Sequence, residues 1–170
     1  MPPEPSRIER ALTAYGASLR RLARAYALDD AGADDLMQEI AIALWDALPS
    51  FRGECSERTF VFRVARNRAL THRYRRRRTT ESLEAASSIA DPAPLADEEV
   101  ERHAQRDLLM RHVQRLPEGL RSVVVLRLEG MRDAEIADVL GITAGNVAVR
   151  LTRARAALRS SMTSPAGAFP

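Results

Sequence analysis

The chain has 170 residues, 45% hydrophobic and 29% charged, with a formal net charge of +3. That composition is globular, and the length allows one domain or two small ones. A single cysteine, Cys55, excludes an internal disulfide and a thiolate zinc site, and His72, His103 and His112 lack ligand spacing. No apolar run approaches a membrane span, and the opening MPPEPSRIER is unlike a secretory signal, so a cytoplasmic chain is expected.

Aromatic residues are only 5% and there is no lysine, while Ala, Leu and Arg abound, which favours helix throughout. Glu4 to Tyr26 reads as a first helix. Ile8, Leu12, Tyr15, Leu19, Leu22 and Tyr26 make its apolar stripe. Asp29 to Gly32 reads as a turn.

A second helix is expected from Ala33 to Leu48. It is apolar on two sides: Leu36, Ile40, Ala43 and Ala47 form one stripe, and Met37, Ala41, Trp45 and Leu48 another. Such a helix is buried twice in its own domain, or buried once and docked on a partner. The residues alone favour the first. Pro49 ends it, and PSFRGECS is a loop.

The stretch from Ser56 to Arg78 is the chain's most distinctive. After Glu57 it holds nine arginines and no acid. Ser56 is the expected N-cap. Val61, Phe62, Ala65 and Ala69 face a core, and Arg63, Arg66, Asn67, Leu70 and Arg73 line the other side. A solvated charged face is one reading. The unbroken positive charge along one helix favours nucleic acid. These helices make one small bundle over residues 4–78.

Residues 79–101, TTESLEAASSIADPAPLADEEVE, carry seven acids and no base. That is the composition of a flexible acidic linker, or simply a solubilising tether. A fourth helix is expected from about Asp97 to Leu116, with Val100, Leu108, Leu109 and Val113 apolar. A short one follows from Arg121 to Leu128, its core run being Val123, Val124, Val125, Leu126 and Leu128.

Asp133 is the expected cap of the next helix, which buries Ile136, Ala137 and Leu140. Gly141 supplies a tight turn, and Thr143 caps a last helix burying Val147, Leu151, Ala154 and Leu158. Asn146, Val149, Arg150, Arg153 and Ala157 face outward. A generic pair of helices is one reading, and the basic outer face favours a DNA-binding helix-turn-helix over 102–160. SMTSPAGAFP reads as a frayed tail. The expected class is therefore all-α, as two small helical domains joined by an acidic linker.

Two stretches, DDLMQEIAIALWDALPSFRGECSERTFVFRVARNRALTHRYRRRR and LPEGLRSVVVLRLEGMRDAEIADVLGITAGNVAVRLTRARAALR, resemble regions two and four of an extracytoplasmic-function (group IV) sigma factor of bacterial RNA polymerase. The resemblance spans roughly residues 8–160. It implies that Asp35, Leu36, Gln38, Glu39 and Trp45 dock on the clamp helices of the polymerase largest subunit. It implies that Phe51, Phe60 and Asn67, on and beside the loop Arg52–Arg58, hold a flipped base of the minus-ten element. Arg63, Arg66 and Arg73 would track the DNA backbone, with Arg52 and Arg58 beside them.

Thr143, Asn146, Val149, Arg150 and Arg153 would meet the minus-thirty-five element, and the C-terminal domain would contact the polymerase flap. The implied partners are core RNA polymerase, promoter DNA and an anti-sigma factor, with no membrane, no cofactor and no enzymatic step of its own. Phe60 stands where the family usually has Trp. Ala148 and Val149 replace a usual basic residue and Ser, and Arg132 replaces a capping Ser. The residues alone leave open a stand-alone DNA-binding regulator, an adaptor without a DNA role, and a small enzyme. Cys55 is a redox handle in an exposed loop or incidental.

Overall fold

In a computed structural model, the described residues are 6–81 and 98–163. The side chains of residue 77 and of residues 79–81 and 98–103 are not described. Most of the acidic stretch, the first residues of the expected opening helix and most of the expected tail lie outside them. The described residues form seven α-helices and no strand.

Helix α1 is Arg7–Tyr26. It begins on a capping box: the Ser6 hydroxyl accepts the Glu9 N–H at 3.3 Å, and the Glu9 carboxylate accepts the Ser6 N–H at 2.6 Å. Helix α2 is Asp30–Ala47, so it starts three residues earlier than expected. Asp29 is the reason. Its carboxylate accepts the Gly32 N–H at 2.7 Å, which makes the expected turn the first turn of a helix.

The buried stripe of α2 is Ala33, Leu36, Ile40 and Leu44. Leu48 extends it in the 3₁₀ turn Leu48–Ser50. This corrects the expected stripe, in which Ala43 and Ala47 stood in place of Leu44. Helix α3 is Glu57–Glu81. Ser56 caps it as expected, accepting the Thr59 N–H at 3.0 Å. Val61, Phe62, Ala65 and Ala69 are all buried. These helices pack into one bundle, with Tyr15 meeting Phe62 edge-on at 6.4 Å.

The second body holds α4 (Glu98–Arg115), α5 (Glu118–Leu128), α6 (Asp133–Leu140) and α7 (Ala144–Thr163). Helix α5 is buried from Arg121 through Leu126, so it forms the centre of this body. Leu128, expected in the core run, is exposed, and so is Leu108 on α4.

Asp133 does not cap α6 by its side chain. It pairs with Arg127, while the Glu135 carboxylate accepts the Arg132 N–H at 2.8 Å. That bond to the Glu135 oxygen holds its carboxyl below the usual carboxylate range. Gly141 ends α6 in the left-handed region at φ 66°, where a glycine carries no Cβ penalty. Thr143 caps α7 as expected, accepting the Asn146 N–H at 3.2 Å, and α7 continues to Thr163, past its expected end.

The two bodies touch. Tyr26 Oη and Ser122 Oγ lie 2.8 Å apart in a buried contact. Burial raises the Tyr26 phenol above its usual pKa. Arg21 makes a forked pair with Glu129, at 2.8 and 2.6 Å. Gln114 donates to the Arg24 and Ala27 carbonyls at 2.6 and 3.1 Å, closing the end of α1.

Candidate nucleic-acid and partner interfaces

Phe51 follows the 3₁₀ turn, and Phe60 lies in the first turns of α3. Their rings stack at 4.6 Å and 28°, both half-buried. The Arg7 guanidinium sits 4.8 Å from the Phe51 ring. It donates to the Leu48 and Phe51 carbonyls at 3.4 Å each and pairs with Glu57 at 3.5 Å. The loop between the rings turns at Gly53, whose φ of 81° suits glycine, and Arg52 is exposed on it. Cys55 is a half-buried free thiol.

Asn67 is exposed two helical turns beyond Phe60, about 10 Å along the axis. The structure therefore brings the two aromatic residues together and leaves the amide apart from them on the same helix. A base reaching both would span that distance.

The arginines of α3 are not turned to solvent alike. Arg58 donates to the Glu129 carbonyl and lies 3.9 Å from Glu135. Arg63 donates to the Asp138 carbonyl at 2.7 Å. Arg66 reaches the Glu118 carboxylate at 3.4 Å. All three acceptors belong to the second body. Arg73 lines a cavity of about 280 Å³ with Leu70, Tyr74, Arg115, Leu116 and Glu118.

On α2, Asp35 and Gln38 are exposed, Ile42 is 59% exposed and Trp45 65%. Spaced i, i+3, i+7 and i+10, they share one face opposite the buried stripe. Leu36 does not belong to it, because its side chain is fully buried in the bundle. Glu39 sits at the edge, 3.0 Å from His72 Nδ1 and 3.7 Å from Arg68 Nε, and is held within the bundle. Ile42 is the residue sequence reasoning missed. Its spacing of seven from Asp35 was the available signal. Of the two burial alternatives for α2, the helix is buried once, with an apolar strip left uncovered.

The last two helices form a helix-turn-helix around Gly141. Thr143 spends its hydroxyl on the cap. Asn146 Oδ1 accepts Arg150 Nε at 2.8 Å, which fixes both side chains on the outer face of α7. Arg150 is half-buried and leans over α5. A Cβ on Gly119 would lie 3.4 Å from its guanidinium. Arg153 and Val149 are exposed. The outer face can thus offer an arginine, an apolar contact and a preset Asn–Arg pair to a groove. Among the described residues, no group of three or more His, Cys, Asp or Glu could hold a metal ion, and no helix is long and apolar enough to cross a membrane.

Residues 11–79 match the family described as Sigma-70 region 2, and residues 106–158 that described as Sigma-70, region 4. RNA polymerase sigma factor CnrH of Cupriavidus metallidurans is 30% identical over 154 residues, covering 85% of this chain and 80% of that protein. The ECF RNA polymerase sigma-E factor of Escherichia coli is 32% identical over 139 residues, covering 73% and 70%. Among solved structures, CnrH in complex with the cytosolic domain of CnrY is similar at TM-score 0.64 and 27% identity, covering 91% of this chain and 86% of that one. The sigma factor RpoE in complex with the anti-sigma factor NepR from Bartonella quintana shares the fold at TM-score 0.70 and 20% identity, covering 90% and 94%.

Proposed function

The chain belongs to the ECF (extracytoplasmic-function) sigma factors of bacterial RNA polymerase, and from that premise we propose that it directs promoter-specific initiation without performing chemistry itself. The body of residues 4–78 docks on core polymerase and captures the minus-ten element. Residues 79–101 connect the bodies, and 102–160 read the minus-thirty-five element and meet the flap. It works in the cytoplasm, where the polymerase is. The observation that carries this reading is the uncovered strip Asp35, Gln38, Ile42 and Trp45 on an otherwise packed bundle. An apolar strip edged with acid and amide is protein-docking chemistry, and nucleic acid would not select it.

On α3, the exposed Asn67 amide offers both a donor and an acceptor to a base edge, and the Phe51–Phe60 pair offers a stacking face. Extruding a base costs a few kcal/mol, and stacking of about 1–3 kcal/mol offsets it. Asn67→Ala is expected to slow open-complex formation about tenfold, the cost of one lost base-edge contact, while leaving core affinity unchanged. Permanganate footprinting beside a core-binding titration checks this, and equal loss in both would remove Asn67 from the base-reading set.

On α7, Arg153, Val149 and the Asn146–Arg150 pair read the groove, with Val149 suited to a thymine methyl. An anti-sigma factor is the partner expected to hold the chain inactive. Of the similar structures, one holds RpoE with the anti-sigma factor NepR, and another holds CnrH with the cytosolic domain of CnrY. The test is fluorescence anisotropy of labelled promoter duplex, titrated with the chain alone and then with core polymerase present. Tight specific binding is expected only with core, and it should weaken steeply as salt rises because phosphate contacts release counterions. Equally tight duplex binding without polymerase would replace this reading with that of a stand-alone regulator.

A further inference from the structure

We infer that Arg7 is a positioning residue for base capture: it closes one face of the Phe51–Phe60 stack, so that an extruded base settles on the outer face of Phe60. This inference rests on the function proposed above, in which the aromatic pair takes a base of the minus-ten element.

Arg7 is the first residue of α1, where the positive end of the helix dipole disfavours a cation. The helix gains nothing from a guanidinium there. The loop does. Arg7 donates to the carbonyls of Leu48 and Phe51, where the loop begins, at 3.4 Å each. Through Nε it pairs at 3.5 Å with Glu57, the residue that opens α3 where the loop ends. One side chain from α1 thus joins both ends of the segment that carries the aromatic pair.

The same guanidinium lies 4.8 Å from the centroid of the Phe51 ring, and Phe60 stacks on that ring at 4.6 Å. At those distances the two occupy opposite faces, because one face has no room for both. Phe51 is therefore covered twice. A base inserted between the rings would have to spread them to about 7 Å, twice a contact distance of about 3.5 Å. The face left for a base is the outer one of Phe60, a ring that is only half-buried. The order of layers is then guanidinium, Phe51, Phe60, base. Each layer sets the tilt of the next, so Arg7 acts on the base without touching it. Lysine cannot replace it. An ammonium lacks the planar fork that covers a ring while donating to two carbonyls and a carboxylate.

The test uses holoenzyme assembled from the full chain, wild type, Arg7→Lys or Arg7→Ala, and a labelled single strand carrying the minus-ten sequence. Removing each base in turn, to leave an abasic site, finds the position whose loss costs wild type most. Both variants should bind the intact strand about tenfold more weakly than wild type, within the range of one base–aromatic stack. On the strand abasic at that position, both should bind within about twofold of wild type, because the layer they tilt has nothing to hold. The salt slope of Arg7→Ala should match that of wild type, since no phosphate contact is lost. Core affinity should be unchanged, and both variants should melt close to wild type, as expected for a half-exposed pair. Equal weakening on the intact and abasic strands, a salt slope lower by about 1, or wild-type binding by Arg7→Lys overturns the inference. If wild-type holoenzyme binds the intact strand and every abasic strand alike, base capture itself fails, so the two failures are distinct.

Discussion

Arg121→Ala is expected to destabilise the second body by about 3–5 kcal/mol, the cost of emptying a buried site and leaving three carbonyls without their donor. Arg121 is only 1% exposed. Its guanidinium donates to the carbonyls of Val113 at 3.2 Å and Leu116 at 2.8 Å, and also to Gln114. These are carbonyls at the end of α4 and just beyond it, where a helix leaves acceptors without internal partners and carries the negative end of its dipole. A planar fork answers several diverging carbonyls at once, and no other side chain does. Arg121→Lys should therefore recover less than half of the loss. Since a domain holds only about 5–15 kcal/mol in total, the Ala variant should melt this body near ambient temperature. Chemical denaturation followed by circular dichroism checks it, and a cost below about 1 kcal/mol would mean that α4 closes its end by other means.

Trp45→Ala is expected to weaken core polymerase binding by about thirtyfold or more, roughly 2 kcal/mol or above, the range of a buried aromatic anchor at an interface. The side chain is 65% exposed and lies outside the bundle core, so folding stability should stay within about 0.5 kcal/mol of wild type. Leu36→Ala is the matching control on the same helix. It removes a fully buried side chain and should cost about 2–5 kcal/mol of stability. The correctly folded fraction should then bind core normally. A titration of labelled chain with core polymerase, corrected for the folded fraction, separates the two. If Trp45→Ala binds as wild type does, the strip on α2 faces something other than polymerase.

What could be read from sequence was local. Ser56 and Thr143 cap their helices because a hydroxyl three residues before an N–H needs no distant partner. The stripe Val61, Phe62, Ala65 and Ala69 follows from helical spacing alone. Asp133 misled for the opposite reason. It is a good capping residue by type, but Arg127, across the turn at Gly130, claims it.

On α2 two apolar faces compete, and periodicity cannot say which one the bundle takes. Packing against α1 and α3 chose Leu36 and Leu44, and left Ile42 and Trp45 outside. The arginines of α3 were legible as a basic face. Their engagement by the second body was not, because Arg63 and Asp138 lie 75 residues apart and nothing local links them. The separation of Asn67 from Phe60 follows from seven residues of one helix, whereas the stacking of Phe60 on Phe51 was hidden, because the loop between them sets it.

Run-off transcription on genomic template, with purified core polymerase and with or without the full chain, tests the central claim most directly. Discrete promoter-specific transcripts should appear only when the chain is added, and they should disappear with Trp45→Ala at limiting concentration. An unchanged transcript pattern with and without the chain would contradict its assignment as the subunit that selects where polymerase begins.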